Sequence, residues 1–488
     1  MNSWAILGCV ALYFALLLGV AWWTGRHADQ AGYFLGNRQS PWFVVAFGLI
    51  GDSLSGVTYI SVPGQVGAQQ WSYLQVVLGY ALGYGIIAQV LLPLYYRLRL
   101  TSIYSYLGTR FGRSAELTGA GFFLLSRVLG AAARLYLAAG VFQAFVFGPL
   151  GVPFWGVVST TLLLILAYTW RGGIKTLVWT DLLQSGFLVL GVGVAVVLLA
   201  QAMDLGPAAL IERIAKSPRS QIFVWDWRAP EFFWKQFLSG AAIAVVMTGL
   251  DQNNMQKTLS CRSLPEAQRN LYCFAGIMVL VNAAFLALGL LLWEFAGERG
   301  LTAPALTDHL FPQIALQSLG PAAAVVFVLG LTAATFNSAD SVLTTLTTSF
   351  CIDFLGFERR TDLTQAQRDV RRRVTHAAFA GVLLFTILAF RAVNEGSVIQ
   401  LVLKMAGYTY GPLLGLFALG LFTRVRVGGP WLPVVCLCSP VLCGILAAQS
   451  PQWLGGYRFG FELLILNGAL VAAGLLTFAR GHPARTSP

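Results

Sequence analysis

Long apolar segments recur along the whole chain and leave few alternatives for its fold. About thirteen of them have the length of a membrane-spanning helix. They lie near residues 4–23, 42–67, 72–97, 117–148, 152–169, 176–202, 232–256, 270–296, 319–350, 374–392, 397–422, 430–449 and 459–479. Only 11% of the residues are charged, whereas a soluble domain carries about 25%. The sequence therefore predicts an all-α polytopic membrane protein.

The basic residues predict the orientation of these spans. Most of the 32 Lys and Arg residues fall in one alternating set of loops, which includes Arg97, Arg171, Lys257 and the run Arg371–Arg373. Because cytoplasmic loops carry the excess of basic residues, we expect the N-terminus outside and the C-terminus inside. The net charge of +12 fits contact with anionic lipid and does not indicate a nucleic-acid partner. The N-terminal apolar run is predicted to be an uncleaved span, and the expected location is a plasma membrane of the bacterial inner-membrane type.

Two of the spans contain residues that break helices. The stretch Asp52–Gly64, DSLSGVTYISVPG, places polar groups, Gly56 and the pair Pro63-Gly64 inside the second span, and we expect them to loosen that helix. The seventh span ends in Met247–Lys257, MTGLDQNNMQK. These spans lie five apart and therefore enter the membrane from opposite sides, as expected for an inverted repeat with a binding site at mid-membrane.

The predicted domain organisation follows from this symmetry. It comprises a peripheral first helix and inner loop (1–41), a first repeat (42–202), an outer loop (203–231), a second repeat (232–423), and two peripheral helices with a short cytoplasmic tail (424–488). The outer segments 204–231 and 296–318 are expected to form short surface helices or lids.

A polar stripe runs along the ninth span. Its members recur at three- and four-residue steps and are Asn337, Asp340, Ser341, Thr344 and Thr348. One interpretation is that these groups only hydrogen-bond between helices. The other is a sodium site, because sodium prefers hard oxygen ligands. Ionisable groups inside the membrane, here Asp340 and the nearby Asp181, favour the second interpretation.

Two arginines lie seven residues apart on one face of the fourth span. Arg134 could hold the carboxylate of a solute through its planar, bidentate guanidinium, or it could form an internal ion pair with Asp52 or another buried acid. Arg127 lies nearer the inner surface, where we expect a structural or gating pair. Asp251 is expected to make a helix-end or loop contact.

The sequence carries no signature of catalysis or of nucleotide hydrolysis. The seven cysteines and four histidines lack metal-ligand or disulfide spacing. The chain is therefore predicted not to be an enzyme and to need no organic cofactor.

Several motifs, taken in chain order, resemble the sodium/solute symporter family. They are YFLGNRQSPW (Tyr33–Trp42), the Asp52–Gly64 stretch, RGGIKTLVWTDLLQ (Arg171–Gln184), GLDQNNMQK (Gly249–Lys257), the ninth span with CIDFL (Cys351–Leu355), and GYTYGPLLGLF (Gly407–Phe417). The resemblance covers nearly the whole chain. It implies a LeuT-like five-plus-five inverted-repeat fold and symport with Na⁺ as the co-transported ion, and we expect a functional monomer.

The resemblance also implies ion ligands. The family's main sodium site maps onto the carbonyls of Gly51 and Leu54 and onto Ala334, Asn337 and Ser338. The family usually has Ser or Thr where Asn337 stands.

A second sodium site of some members maps onto Asp181, Asn337, Asp340 and Ser341. The aspartate at 340 makes this site more acidic than usual, so that it could hold a cation more firmly or couple a proton.

The candidate solute-binding residues are Ser53, Ser55, Thr58 and Arg134, which resemble those of the sialic-acid transporters of the family. The implied function is import of a small acidic solute, with sialic acid as the best single candidate. A monocarboxylate, an amino acid or a sugar is the alternative solute. A different class of function is a transporter-like sensor that acts with a separate signalling partner.

Overall fold

The computed structural model describes residues 3–25, 34, 36–301, 304, 306–393, 398–457 and 459–478. Over these ranges the chain is helical, and a single β-bridge joins Ser40 to Cys261. The helices of the first half are α1 (Ser3–Gly25), α2 (Trp42–Ser53), α3 (Gly56–Gln69), α4 (Tyr73–Arg97), α5 (Ser105–Phe111), α6 (Arg113–Phe142), α7 (Phe154–Trp170), α8 (Gly173–Ala202) and α9 (Pro207–Lys216).

The second half contains a corresponding series of long and broken helices. They are α10 (Phe233–Gly249), α11 (Gln252–Thr258), α12 (Leu264–Glu298), α13 (Pro321–Phe354), α14 (Gln365–Val393), α15 (Val398–Thr409), α16 (Gly411–Phe422), α17 (Trp431–Trp453) and α18 (Leu463–Thr477).

Many of these helices suit a membrane. In the described part of the chain, seven helices are long and apolar enough to cross a bilayer: α4, α6, α8, α12, α13, α14 and α17. Two further pairs, α2/α3 and α10/α11, pass the same test together and are bent by 60° and 68°. Shorter apolar helices lie in α1, α7, α16 and α18. The predicted all-α polytopic membrane fold is confirmed.

The two bends lie where the sequence placed broken helices. The first separates Ser53 from Gly56, with Leu54 and Ser55 outside regular helix. The expectation that Pro63 also loosens this span is wrong, because α3 continues through Pro63 to Gln69.

Gly64 has a packing role. A Cβ atom at this position would lie 2.3 Å from the backbone oxygen of Thr307, so glycine allows the loop before α13 to approach α3 closely. Gly173 breaks the helix between α7 and α8 with a φ of 53°.

The segments 204–231 and 296–318, which were predicted to lie outside the membrane, contain short helices, as expected. The first holds α9, and the second holds a turn of helix at Leu310–Gln313. The guanidinium of Arg213 in α9 lies 2.6 Å from Glu294 at the end of α12, and Ser217 donates a hydrogen bond to the same carboxylate at 2.9 Å. These contacts hold the segment against the helical bundle.

Candidate solute and cation sites

The break between α2 and α3 leaves backbone oxygens without helical partners. Among the described residues, no backbone N–H donates to the carbonyls of Gly51 or Leu54. Unpaired carbonyls are costly at membrane depth unless another group or an ion satisfies them. The break therefore supplies oxygens that can bind a cation.

Residues of α13 complete this arrangement. The Ser338 hydroxyl lies 3.5 Å from the carbonyl oxygen of Gly51. The side-chain oxygen of Asn337 is buried and accepts no hydrogen bond, while its nitrogen donates to the backbone of Asp181 at 3.3 Å. A Cβ atom on Gly51 would lie 2.4 Å from the Asn337 amide nitrogen. The structure thus brings Gly51, Asn337 and Ser338 together.

The other two predicted ligands of the main sodium site lie nearby on the same elements. Leu54 follows Gly51 by three residues at the break, and Ala334 precedes Asn337 by one helical turn. Gly51, Asn337 and Ser338 therefore meet where α2 and α13 approach each other, and Leu54 and Ala334 lie close to them along the chain.

The second predicted cation site contains a residue that the sequence analysis did not place there. The amine nitrogen (Nζ) of Lys257 lies 2.5 Å from Asp181 Oδ2 and donates to the Ser341 hydroxyl at 2.6 Å. It also forms an ion pair with Asp52. The side chains of Lys257, Asp52 and Asp181 are all at most 1% exposed.

The assignment of Lys257 to a cytoplasmic loop is therefore wrong. The 68° bend turns α11 into the bundle, and every residue from Gln252 to Thr258 is buried. Two signals in the sequence could have indicated this position. The polar run QNNMQK follows a broken span, and the buried aspartates of the neighbouring spans require a counter-charge.

Asp340 has its own partners in this cluster. The Tyr168 hydroxyl donates to Asp340 Oδ2 at 2.7 Å, and the backbone N–H of Ser341 donates to Oδ1 at 2.6 Å. Tyr168, in α7, was not among the predicted residues. Asp181 and Ser341 therefore meet at the amine of Lys257, and Asp340 joins them through Ser341, whose hydroxyl donates to Asp340 Oδ1 at 3.2 Å.

The predicted solute-binding residues share one central cavity. Ser53, Ser55, Thr58 and Arg134 all line a cavity of about 90 Å³ beside the break. Its wall also includes the aromatic side chains of Tyr73, Tyr80 and Tyr84. A larger cavity of about 760 Å³ shares Tyr73 with the central cavity. Its other lining residues include the end of α3, the start of α10 and the loop before α18.

Arg127, at the far side of the central cavity, is neutralised within the protein. Its Nε and Nη2 atoms lie 2.6 Å and 2.5 Å from the two oxygens of Asp251. Tyr410 donates to the same carboxylate at 2.6 Å. Asp251 also caps α11 by accepting from the backbone N–H of Asn253 at 2.9 Å. The expected structural pair of Arg127 and the helix-end contact of Asp251 are confirmed.

Arg134 differs from Arg127. Among the described residues no carboxylate lies within 4 Å of its guanidinium, and Asp52 is paired with Lys257 instead. The alternative of an Arg134–Asp52 ion pair is therefore wrong. The central cavity presents hydroxyl groups, aromatic faces and a cation without an acidic partner.

Two broken helices crossing a membrane bundle beside a polar, charged cavity define a secondary membrane transporter rather than an enzyme. The comparisons with known proteins are more specific. A model of the sodium:solute symporter family matches residues 33–429, and the chain belongs to that family. The resemblance of the sequence motifs is confirmed, and Na⁺ is the co-transported ion of this class.

Known proteins of similar sequence or structure align with most of the chain. The sodium/sialic acid symporter SiaT of Proteus mirabilis is 23% identical, with 96% of this chain and 94% of the relative covered. The sodium-coupled monocarboxylate transporter 1 of Mus musculus is 26% identical, with 85% and 67% covered. A solved structure of a Na⁺-coupled sialic acid symporter in a substrate-bound outward-open state is 20% identical, with a TM-score of 0.83 over 98% of this chain and 99% of that one. This last likeness confirms the fold.

Proposed function

We propose that the chain is a sodium symporter that imports a small acidic organic solute, with sialic acid as the best single candidate. It works by alternating access as a monomer in a plasma membrane of the bacterial inner-membrane type. Thirteen spans place the N-terminus outside and the C-terminus inside. The repeats at 42–202 and 232–423 move relative to each other, and residues 1–41, 203–231 and 424–488 lie at the periphery.

The observation that carries this proposal is that Arg134 lines the central cavity and has no acidic partner among the described residues. A guanidinium beside a cavity and without an acidic partner is costly unless a ligand supplies the negative charge. A solute carboxylate can accept two parallel N–H bonds from it. The hydroxyls of Ser53, Ser55 and Thr58 can bind the remaining polar groups of the solute. An acidic solute with several hydroxyl groups fits this set of partners.

The proposed main sodium site lies next to this cavity. It uses the carbonyls of Gly51 and Leu54, a carbonyl of Ala334, the free amide oxygen of Asn337 and the hydroxyl of Ser338. Because Ser53 and Leu54 line the cavity from the same break, sodium that orders the break also shapes the solute site. This shared segment is a physical basis for coupling.

A short monocarboxylate is the second candidate, favoured by the size of the cavity. At about 90 Å³ it holds several water molecules, and it has to widen to admit a sugar acid with a nine-carbon backbone. A short carboxylate needs less rearrangement and uses the same Arg134. Similarity to sodium-coupled monocarboxylate transporters supports this alternative.

Uptake into proteoliposomes tests the proposal. Labelled sialic acid, a short monocarboxylate, an amino acid and a neutral sugar are compared with an inward sodium gradient and with potassium in its place. We expect sodium-dependent uptake of one acidic solute. Binding without uptake would instead indicate a sensor.

The Arg134→Ala variant identifies the carboxylate partner. Removing one member of a buried charged pair costs about 2–5 kcal/mol of binding, so we expect the KM for the acidic solute to rise by about 30-fold or more. Arg228→Ala, in an exposed outer loop, serves as the matched control. An unchanged KM in Arg134→Ala would refute the role of Arg134.

A further inference from the structure

We propose that the amine of Lys257 is a built-in cation that fills the second cation site, so that this transporter binds a single sodium ion, at the main site. The inference rests on the proposed sodium symport for its consequence in transport. Its structural basis is the position of Lys257 among the residues expected to bind a second ion.

The amine of Lys257 has one oxygen neighbour for each of its donors, two of them as hydrogen-bond acceptors and the third, on Asp181, as an ion pair. A lysine ammonium carries three N–H donors and no acceptor. Its nitrogen contacts three oxygens, one each from Asp52, Asp181 and Ser341. Asp181 and Ser341 are two of the predicted second-site ligands. A sodium ion at this site would draw on the same two side chains, so the amine competes with the ion for them.

The charges lead to the same conclusion. Two buried carboxylates, Asp52 and Asp181, face the ammonium, and a sodium ion bound to the same oxygens would lie next to this positive charge, which repels it in a low-dielectric interior. Without the amine, the carboxylates would be buried and unpaired, which is strongly destabilising. Lys257 therefore supplies the charge that an ion would otherwise provide.

Asp340, the remaining acidic residue, does not need an additional ion. Both of its oxygens accept hydrogen bonds, from Tyr168 and from the Ser341 backbone. The proposed main site uses other oxygens: the Gly51 carbonyl and the Ser338 hydroxyl, which lie 3.5 Å apart, and the amide oxygen of Asn337, which has no hydrogen-bond partner. One ion site therefore remains available.

Lys257 also connects the ion region with the solute cavity. Its partner Asp52 lines the central cavity, whereas its partner Asp181 lies on α8 behind the break. A fixed cation at this position changes the charge carried per cycle. One sodium ion with one monoanionic solute gives electroneutral transport, whereas two sodium ions would move a net positive charge.

Equilibrium binding of radioactive sodium to the purified protein, without solute, tests the inference. We expect one ion per wild-type chain and two per chain in Lys257→Ala, which frees the oxygens and the space. The double variant Lys257→Ala/Asp181→Asn should return to one ion. Lys216→Ala, which removes an exposed lysine of α9, should bind one ion like the wild type.

Two ions on the wild type, or one ion on a folded Lys257→Ala variant, would overturn the inference. If Lys257→Ala does not fold, the wild-type count and the sodium-to-solute flux ratio decide, with one to one expected. The wild type could instead bind no sodium while Lys257→Ala binds one ion. This result would refute the main sodium site and the proposed symport, but it would support the role of Lys257 as the occupant of the second site.

Discussion

Replacing Asp251 with alanine should strongly reduce the free energy of unfolding. The change removes both contacts of Arg127, the bond from Tyr410 and the cap of α11. Arg127 is only 5% exposed, so its charge would stay buried without a partner. Breaking such a pair costs about 3–5 kcal/mol, and a lost N-cap adds about 1 kcal/mol. We expect a total loss of about 4–6 kcal/mol.

Arg127→Met provides the internal comparison. In this variant the carboxylate of Asp251 keeps the Tyr410 hydroxyl and the N–H of Asn253, so the loss should be smaller, about 3 kcal/mol. Lys216→Ala breaks only an exposed pair with Glu212 and should cost less than about 1 kcal/mol.

Denaturant unfolding of the purified variants in one detergent measures these differences. The expected order of destabilisation is Asp251→Ala, then Arg127→Met, then Lys216→Ala. An Asp251→Ala variant that is no less stable than Arg127→Met would refute the reasoning that the unpaired guanidinium and the lost cap determine the cost.

Two further changes test the proposed main ion site and the close approach of the loop before α13 to α3. Ser338→Ala removes the hydroxyl 3.5 Å from the Gly51 carbonyl; the sodium concentration for half-maximal uptake should rise by about tenfold, equivalent to ~1.4 kcal/mol, and an unchanged value would exclude Ser338 as a ligand. Gly64→Ala places a Cβ atom 2.3 Å from the Thr307 carbonyl oxygen and should lower the free energy of unfolding by about 1–3 kcal/mol. Gly121→Ala, with no atom within 4 Å of the added Cβ, is its control, and equal stability of both variants would contradict the close approach.

The sequence predicted the broken helices and the grouping of polar residues around them because both depend on local physics. Glycine weakens a helix, and the polar groups of the hydroxyl residues must find partners inside the bundle rather than face lipid. The breaks beside Leu54 and Leu250, and the cavity shared by Ser53, Thr58 and Arg134, follow from this constraint.

The position of Lys257 could not be predicted in the same way. Loop charges are assigned by counting along the chain, and Lys257 lies only a few residues from Arg262 and Arg269. The direction of α11 after its bend depends on tertiary packing, and the 68° bend turns Lys257 from its predicted loop position into the bundle. At Pro63 the sequence predicted a loosened helix, but α3 stays helical there. Packing against neighbouring helices outweighs the local preference of proline.

The short helix α11 has a mechanical consequence. Its first turn is capped by Asp251, which holds Arg127 and Tyr410, and near its other end Lys257 holds Asp52 and Asp181. A helix of seven residues is a rod of about 10 Å, too short to bend between two such anchors. A shift that separates Arg127 from Asp251 therefore also pulls on the amine. The helix therefore couples movement at the Arg127–Asp251 pair to movement at the Lys257 cluster.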